Sequence, residues 1–486
     1  MPDQSVRLAT LARRVGGEIQ GDGAATVSGI THDSRLATAG SLFVAIRGLE
    51  ADGHAFVGDA MRRGAAAILV EEFVSTTLPQ IRVADTRRVL GPAASLVFGD
   101  PSRDLDVIGV TGTNGKTTVT VMIESIACAA ERPFGRLGTL GTKIIDRYES
   151  MPLTTPNASE LQGHFRTMVD EGVSLVAMEV SSHALALHRV EGTSFDVAAF
   201  TNLSQDHLDF HRNMERYLAA KMRLFDGRAP VHVVDVNDAA GQRVAGSAPG
   251  RVVTVGLGDG HDVAALVTGT SLRESRFTCR LEGREVKLRI KPGGLHNVRN
   301  AALALACARQ VGIAIDPIVE GLSTIERIPG RLDPIDAGQP FRVLVDYAHT
   351  PEAVDSVVSA ALDHCGGSTI VVVGAAGERD AAKRPLLGAA AAKAHVAVIT
   401  SDNPRSEDPS ALVDAVVRGT SQGRAEVIAE VDRSKAIRIA VERAEPGDAV
   451  LILGKGHEQS QDLGEQVIPF DDRAVAAFHL QERWAQ

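Results

Sequence analysis

Short apolar runs alternate with polar turns and with alanine- and leucine-rich stretches along most of this chain. Continuous apolar runs bounded by turn residues are typical of buried strands in parallel sheets, and the stretches between them have helical spacing. Strands are predicted over residues 42–46, 66–70, 105–110, 175–180, 197–200, 343–345, 369–373, 396–400 and 449–453, and a helix over 60–63. Strands that alternate with helices predict an α/β fold.

Two turn-rich segments divide this pattern into three parts. Residues 99–102 (GDPS) and 329–334 (PGRLDP) are rich in residues that favour turns. A chain of 486 residues is also too long for one hydrophobic core. We therefore predict domains over residues 1–103, 104–331 and 332–486, with a mostly parallel central sheet and a doubly wound last domain. Residues 231–290 are more β-rich, and their sequence indicates no site.

Composition narrows the range of functions. The net charge of −10, from 51 basic and 61 acidic residues, argues against a nucleic-acid binder, although a local basic cleft can still hold phosphates. The four cysteines lie far apart without a C-x-x-C pattern, which argues against a zinc site or a disulfide framework. No signal-peptide core and no run of membrane-spanning length is present in the sequence. We expect a cytoplasmic monomer without membrane insertion.

The candidate chemistry centres on residues 108–118 (IGVTGTNGKTT), which follow a predicted strand and precede apolar residues at helical spacing. Strand, glycine-rich turn, Lys-Thr and helix are the parts of a phosphate-binding loop, where backbone N–H groups face the anion. Lys116 would reach the terminal phosphates, and the Thr117 hydroxyl would ligate Mg²⁺. The strict pattern requires glycine where Val110 stands, so a chance Gly-Lys-Thr turn is the alternative.

Polar residues follow two predicted strands of the central part. Glu179 ends one strand, and residues 201–207 (TNLSQDH) follow the next. The carboxyl ends of parallel strands are where α/β sheets bind ligands. A carboxylate and the imidazole of His207 at adjacent strand ends can hold divalent ions beside nucleotide phosphates. Taken alone, His207 is more often a structural histidine, and its position between Asp206 and Asp209 favours a functional one.

These segments resemble the Mur ligases, the ATP-dependent amino-acid ligases of peptidoglycan assembly. The resemblance rests on residues 111–118 (TGTNGKTT), 179–183 (EVSSH), 202–209 (NLSQDHLD) and 221–225 (KMRLF), in family order. It covers all three parts of the chain and explains Val110, because the family uses this shorter loop. It implies an N-terminal domain that binds the uridine nucleotide, a central P-loop ATPase domain and a C-terminal Rossmann-like domain that binds the amino acid.

The resemblance implies a catalytic set of Lys116, Glu179, His207 and Lys221. Lys221 would be carbamylated by CO₂ and would join Thr117, Glu179 and His207 as ligands of two Mg²⁺ ions, because a bare ammonium would repel the metal. Without the resemblance, Lys221 reads as a solvated helix lysine. The implied ATP contacts are Gly112, Thr113, Asn114, Gly115, Lys116, Thr117, Thr118, Asn297, Asn300, Arg331, Asp346 and His349.

The implied substrate is a UDP-N-acetylmuramoyl dipeptide. Its expected contacts are Ser34, with the loop near residues 48–52, and Thr154, Thr155, Ser181 and Arg189. From spacing alone, the polar segments 31–35 and 48–54 are equally well read as ordinary loops. Many relatives carry glutamine where Leu187 stands, which puts one hydrogen bond to the substrate in doubt.

Residues 402–405 (DNPR) resemble the signature of family members that add meso-diaminopimelate, whereas relatives that add L-lysine lack the arginine. Diaminopimelate carries a second carboxylate at its far end, which a planar guanidinium binds bidentately. The implied contacts are Arg379, Asp402, Asn403, Pro404, Arg405, Ser406, Gly454 and Glu458. From spacing alone, Asn-Pro-Arg would be a turn with a surface arginine.

Three alternatives stay open. An L-lysine-adding relative would differ at the amino-acid site. A folylpolyglutamate synthase shares the phosphate loop and the carbamate lysine, but would not be expected to carry the N-terminal uridine domain or residues 402–405. A nucleotide-binding regulator without catalysis is disfavoured by the presence of Lys116, Glu179, His207 and Lys221.

Overall fold

The protein is an α/β molecule with three main sheets, as the apolar pattern predicts. The structure, a computed structural model, describes residues 5–48 and 51–484. The three sheets lie within residues 18–82, 106–290 and 333–453, and each has its own hydrophobic core. We propose residues 103/104 and 331/332 as the domain boundaries, because they fall between the sheets.

The N-terminal domain is built on a five-stranded sheet of order β2-β7-β6-β5-β4. Only the β2–β7 pair is antiparallel, and β1 pairs with β3 apart from this sheet. The strands are β1 (Val6–Arg7), β2 (Glu18–Gln20), β3 (Thr26–Val27), β4 (Gly29–Thr31), β5 (Ser41–Val44), β6 (Ala67–Val70) and β7 (Gln80–Arg82). The helices are α1 (Leu8–Val15), α2 (Val57–Arg62) and α3 (Thr86–Val97).

The central domain has an eleven-stranded sheet of order β11-β10-β9-β12-β8-β13-β14-β15-β16-β17-β18, parallel from β9 to β16. Its strands are β8 (Asp106–Thr111), β9 (Phe134–Gly138), β10 (Gly141–Ile144), β11 (Arg147–Glu149), β12 (Leu175–Glu179), β13 (Val197–Phe200), β14 (Val231–Asp235), β15 (Arg251–Leu257), β16 (Val263–Thr270), β17 (Ser275–Leu281) and β18 (Arg284–Ile290). Its helices are α4 (Lys116–Ala129), α5 (Ala158–Asp170), α6 (Ser182–Ala186), α7 (Leu208–His211), α8 (Met214–Met222), α9 (Ala239–Ser247), α10 (Leu295–Gln310) and α11 (Ile315–Thr324).

The C-terminal domain has a six-stranded sheet of order β19-β20-β24-β21-β22-β23, parallel except at β19, with apolar clusters on both faces. The strands are β19 (Asp333–Pro334), β20 (Arg342–Asp346), β21 (Thr369–Ala375), β22 (Val396–Ser401), β23 (Glu426–Ala429), β24 (Ala449–Leu453) and the separate pair β25 (Ser460–Asp462) and β26 (Val467–Pro469). The helices are α12 (Pro351–His364), α13 (Lys383–Ala391), α14 (Pro409–Val417), α15 (Arg433–Arg443) and α16 (Asp472–Trp484). This is the doubly wound arrangement predicted from the sequence.

All nine predicted strands are present, and their ends lie within two residues of the predicted ones. The predicted helix 60–63 is the end of α2, which begins earlier, at Val57. Residues 231–290 are β-rich as expected, and Asp235 at the end of β14 lines a cavity beside the phosphate loop. Across residues 5–48 and 51–484, no helix combines the length and apolarity needed to cross a bilayer.

Candidate active site

The predicted phosphate loop joins β8 to α4 at the middle of the central sheet. Its two glycines have positive φ angles, +148° at Gly112 and +89° at Gly115. A side chain at either position would clash with neighbours, Thr201 at the first and Asn300 at the second. The loop therefore requires these glycines, and it aims the N-terminus of α4 at the space where an anion would lie.

The loop is fixed by the polar segment that follows β13. Asn202 accepts the Thr113 N–H through its carbonyl oxygen at 2.9 Å, and its side-chain oxygen accepts the Asn114 N–H at 3.0 Å. The Thr201 hydroxyl donates to the Asn114 carbonyl oxygen at 2.6 Å. The two predicted motifs thus form one hydrogen-bonded unit, which preorganises the loop backbone.

Glu179, at the end of β12, is 1% exposed. Its carboxylate accepts the Thr139 N–H at 2.8 Å and the Thr139 hydroxyl at 3.0 Å. A Cβ atom at Gly138 would collide with this carboxylate, so glycine is needed for the close approach. The end of β9 therefore orients Glu179, a contribution that the motifs alone did not indicate.

His207 is the N-cap residue of α7, has a left-handed φ of +56° and lies beside Asp206. Its Nε2 atom is 3.3 Å from an Asp206 carboxylate oxygen, and its ring is 4.8 Å from that of His183. Burial lowers the pKa of His207 to about 3, although Asp206 opposes this shift. The imidazole is therefore neutral near pH 7, which is the form that can ligate a metal ion.

Lys221, on α8, is 1% exposed and reaches back to the phosphate loop. Its Nζ atom donates to the Gly112 carbonyl oxygen at 2.7 Å and lies 4.5 Å from the Tyr217 ring centre. Burial, and then the neighbouring Lys116, lower the pKa of Lys221 well below its usual value. It is thus not the solvated helix lysine that spacing alone would indicate.

The protein side chains that could bind Mg²⁺ here would need phosphate oxygens and water to complete the coordination of the ion. Within the described residues, no three His, Cys, Asp or Glu side chains come close enough together to hold a metal ion. Glu179 and His207 supply one carboxylate and one imidazole, and Thr117 supplies a buried hydroxyl. Mg²⁺ binds few protein ligands together with substrate phosphates and water, so an incomplete protein set is suited to it.

Seven of the predicted ATP contacts line a cavity beside the phosphate loop. They are Asn114, Gly115, Thr118, Asn297, Asn300, Arg331 and Asp346. Asp346 is held by the Leu332 N–H at 2.7 Å and the Ala348 N–H at 2.8 Å. Arg331 donates to the Thr117 hydroxyl at 3.1 Å and lies over the Tyr347 ring at 4.6 Å. His349 lies outside this cavity, 3.4 Å from Asp206.

A larger cavity of about 820 Å³ lies between the N-terminal and central domains. Ser34, Leu187 and Arg189 line it. Arg189 donates to the Thr155 carbonyl oxygen at 3.2 Å, and the Thr155 hydroxyl donates to the Glu179 carbonyl oxygen at 2.9 Å. These contacts form a continuous polar path from the cavity to Glu179. The predicted loop near residues 48–52 lines the cavity through Gly48 and Ala51, while residues 49 and 50 lie outside the described residues.

The predicted amino-acid residues gather at the carboxyl ends of β22 and β24. Asn403 donates to Glu458 at 3.0 Å, and Gly454 has a φ of +116° beside Asp402. Arg405 donates to the Gly377 carbonyl oxygen at 2.5 Å and is about one-fifth exposed. Arg379 is exposed on the loop after β21, and its charge contributes to the lowered pKa of His183, which comes mainly from burial.

Several residues at these sites, all buried or partly buried, were not predicted. They are Asp235, His296 and Arg299 in the cavity beside the phosphate loop, His32 and Arg87 in the larger cavity, and Lys383 and Lys455 in the C-terminal domain. Lys455 is fully buried and donates to Asn403 at 3.0 Å and to Glu458 at 2.9 Å. Its position in the segment 454–458 (GKGHE), which supplied two predicted residues, was the available signal.

Three family models match different parts of this chain, and all three describe the same family. Residues 110–308 match the Mur ligase middle domain, 330–456 match the glutamate ligase domain of Mur ligases, and 26–96 match the Mur ligase family, catalytic domain. The chain belongs to the Mur ligase family. The prediction of an ATP-dependent ligase of this family is thereby confirmed.

Two relatives illustrate the similarity of this Mur ligase over its whole length. UDP-N-acetylmuramoyl-L-alanyl-D-glutamate–2,6-diaminopimelate ligase of Geobacillus thermodenitrificans (strain NG80-2) is 42% identical over 488 residues, 98% of this chain and 100% of the relative. The protein of the same name from Streptomyces coelicolor is 42% identical over 483 residues, 96% of this chain and 95% of the relative.

Solved structures agree with the three-domain fold. A structure of a UDP-N-acetylmuramoyl-L-alanyl-D-glutamate–2,6-diaminopimelate ligase is 29% identical with a TM-score of 0.70, and the match covers 99% of both chains. A Mycobacterium tuberculosis folylpolyglutamate synthase complexed with ADP and AMPPCP has a TM-score of 0.62 at 20% identity. The match covers 82% of this chain and 95% of the synthase, and it indicates a shared fold.

Proposed function

We propose that this Mur ligase uses ATP to join meso-diaminopimelate to the D-glutamate of UDP-N-acetylmuramoyl-L-alanyl-D-glutamate, in peptidoglycan precursor synthesis. The observation that carries the proposal is the contact of Asp402 and Asn403 with Gly454 and Glu458 at one end of the C-terminal sheet, in the segment that ends in Arg405. Full-length similarity to relatives of that name supports it.

ATP activates the substrate carboxylate, which is a poor electrophile because its charge is delocalised. The D-glutamate γ-carboxylate attacks the terminal phosphorus, ADP leaves, and an acyl phosphate forms. In the structure, the Lys116 ammonium donates to the carbonyl oxygens of Gly112 and Thr113, at 2.9 and 2.8 Å. When phosphates occupy the loop, this ammonium would turn to them and stabilise the charge of the transferring group.

Thr117, Glu179, His207 and the carbamate of Lys221 are the proposed ligands of two Mg²⁺ ions. Mg²⁺, when bound, would neutralise charge on the phosphate oxygens. The burial of Lys221 and its depressed pKa support the carbamate, because only a neutral amine reacts with CO₂. The Thr139 contacts hold the Glu179 carboxylate in place for this role.

The uridine-nucleotide part of the substrate would occupy the 820 Å³ cavity, with Ser34 and Arg189 among its contacts. The dipeptide would then run along Thr154, Thr155 and Ser181 toward Glu179. The Thr155 hydroxyl lies 3.2 Å from that of Ser181, so the two offer adjacent polar groups along this path. Leu187 lines the cavity and supplies no hydrogen bond there.

Diaminopimelate would bind at the ends of β22 and β24. Arg405 would hold the distal carboxylate, with Asp402, Asn403, Pro404 and Ser406 shaping the turn. Glu458 would take the distal ammonium, Gly454 a backbone contact and Arg379 the other carboxylate. The free amine then attacks the acyl carbon, loses a proton and expels phosphate, which completes the amide. Positioning supplies most of the rate enhancement.

Product analysis tests this proposal. Incubation with ATP, the UDP-dipeptide and meso-diaminopimelate should yield the UDP-tripeptide, detected by mass, and equimolar phosphate. Omission of any substrate should abolish both. Lys116→Ala should abolish turnover with an unchanged circular dichroism spectrum, whereas the exposed Lys287→Ala on β18 should behave as wild type. Glutamate addition to a folate in place of this product would support the folylpolyglutamate synthase alternative.

A further inference from the structure

A separate cavity of about 700 Å³ lies between the hairpin β9–β10, helix α4 and the C-terminal domain. The charged side chains of its lining come from both domains: Glu124, Arg136 and Glu149 on one side, Glu458 and Arg473 on the other, where His457 also lies. None of the implied ATP or uridine-nucleotide contacts lines it, and Glu458 is the one member of the proposed amino-acid site that does.

Arg136 is the most unusual group in this cavity. Its side chain is 3% exposed, and its Nε atom lies 2.8 Å from a Glu124 carboxylate oxygen. Its Nη1 atom is buried and has no hydrogen-bond partner in the described part of the chain. The buried Nδ1 atom of His457, on the opposite wall, has no partner there either. An unpartnered buried N–H group is costly, so Arg136 points to a ligand that accepts hydrogen bonds.

Each carboxylate of the lining is paired with a cation that does not itself line the cavity. Glu124 is paired with Lys143 at 2.6 Å, Glu458 with Lys455 at 2.9 Å and Glu149 with Arg147 at 3.4 Å. The two guanidiniums of the lining are therefore not needed to neutralise these carboxylates. Arg473 adds a second guanidinium on the C-terminal wall, paired with Asp471 at 2.6 Å. A guanidinium with a free N–H edge is well suited to an oxyanion.

The cavity also adjoins the reaction centre. Thr139 lines it, and the same residue donates two hydrogen bonds to Glu179. We propose that this cavity is a binding site for a small tetrahedral oxyanion, held by Arg136 and Arg473, and that inorganic phosphate formed in the reaction occupies it during release. The source of the phosphate rests on the proposed function, whereas the binding site itself does not.

Phosphate binding can be measured on the full chain without turnover. Inorganic phosphate is titrated calorimetrically into Lys116→Ala, in which the phosphate loop is weakened as a competing site. The same titration is made after adding Arg136→Gln, Arg473→Gln or, as a matched control, Arg243→Gln. Arg243 is half-exposed on α9, pairs with Glu215 at 2.5 Å and does not line the cavity. Acetate is titrated in parallel as a carboxylate of similar size.

We expect Lys116→Ala to bind phosphate, the added Arg136→Gln to weaken binding roughly tenfold or more, and Arg243→Gln to leave it unchanged. Acetate should bind more weakly than phosphate. No phosphate binding to Lys116→Ala, or full binding after Arg136→Gln, would overturn the proposal. Equal binding of acetate would overturn the assignment to a tetrahedral oxyanion. If Arg136→Gln does not fold, Arg473→Gln decides by the same criterion. Because no turnover is needed, the result is independent of the ligase proposal.

Discussion

The side-chain nitrogens of Lys116 and Lys221 both donate to one acceptor, the carbonyl oxygen of Gly112, at 2.9 and 2.7 Å. Two ammonium groups at a single carbonyl repel each other, and burial makes the repulsion stronger. The conflict is relieved when Lys221 is neutral, and it becomes an attraction when Lys221 carries a carbamate. This geometry connects the phosphate loop to the proposed chemistry of Lys221.

Lys221→Ala should therefore be inactive and regain activity with short carboxylic acids. A small acid can enter the space left by the side chain and offer the oxygen ligands that the carbamate would supply. Phosphate release in CO₂-depleted buffer, with and without acetate or propionate, measures this. Wild type treated with the same acids is the control, and a fully active alanine variant would show that no carbamate is required.

Asp206 and Lys383 form a buried ion pair of 3.0 Å between the central and C-terminal domains. His349 and His207 also lie beside Asp206, so the pair couples the domain contact to a proposed metal ligand. Lys383→Met should lower kcat at least tenfold, because it leaves a buried carboxylate without its cation. Adding Asp206→Asn to this variant should lower kcat little further, since the ion pair is already broken.

Steady-state kinetics on the two single variants and the double variant would measure this coupling. Lys393→Met, an exposed lysine of the same domain, is the control and should be fully active. Strictly additive losses in the double variant would show that the two residues act independently.

His211 should make the protein less stable in mild acid. Its Nε2 atom lies 2.9 Å from the Ser182 hydroxyl, and burial lowers the pKa of His211 to about 4. Between pH 6.5 and 4 the unfolded chain binds this proton and the folded chain does not, so stability is complete above pH 6.5 and falls below it. The loss from this residue is on the order of 1–3 kcal/mol.

Urea unfolding at pH 7.5 and pH 5 checks this sign. Wild type should lose more free energy of unfolding between the two pH values than His211→Gln, whose amide nitrogen can replace the donor. An identical loss in both proteins would mean that His211 does not titrate in this range.

The strand pattern was readable from sequence because the strands are buried on both faces and stand out as apolar runs. Residues 175–180 and 197–200 also showed their polar ends, so Glu179 and residues 201–207 could be assigned to one edge of the sheet. The family resemblance then supplied Lys221, whose burial could not be predicted from its helical neighbours. Local order along the chain does not reveal which lysine reaches back to a loop 109 residues away.

Contacts between distant segments account for what the sequence did not indicate. Asp235 and Arg299 pair at 2.7 Å across 64 residues, and Arg331 reaches Thr117 across 214 residues. Such pairs depend on how distant segments of the central domain fold together rather than on periodicity or spacing. The unpartnered nitrogen of Arg136 is likewise a property of the packed molecule, because nothing in the sequence of β9 distinguishes it from a surface arginine.

Arg405→Ala should lose most activity with meso-diaminopimelate, mainly through a higher KM. The guanidinium is the group proposed to hold the distal carboxylate, and its loss removes a charge-assisted, two-pronged contact. The variant should not become a good lysine enzyme, because no new group contacts the lysine ammonium. Kinetics with both amino acids measure this, and an unchanged KM for diaminopimelate would remove Arg405 from the site.

The most direct test of the proposed function is kcat/KM of the wild-type protein for meso-diaminopimelate and for L-lysine, with ATP and the UDP-dipeptide. Lysine would leave the Arg405 guanidinium without the distal carboxylate and facing a like charge, which costs on the order of 2–5 kcal/mol. Because each 1.4 kcal/mol is about tenfold, we predict a preference for diaminopimelate of roughly 10²-fold or more. Equal use of lysine would contradict the assignment of residues 402–405 as the selecting segment.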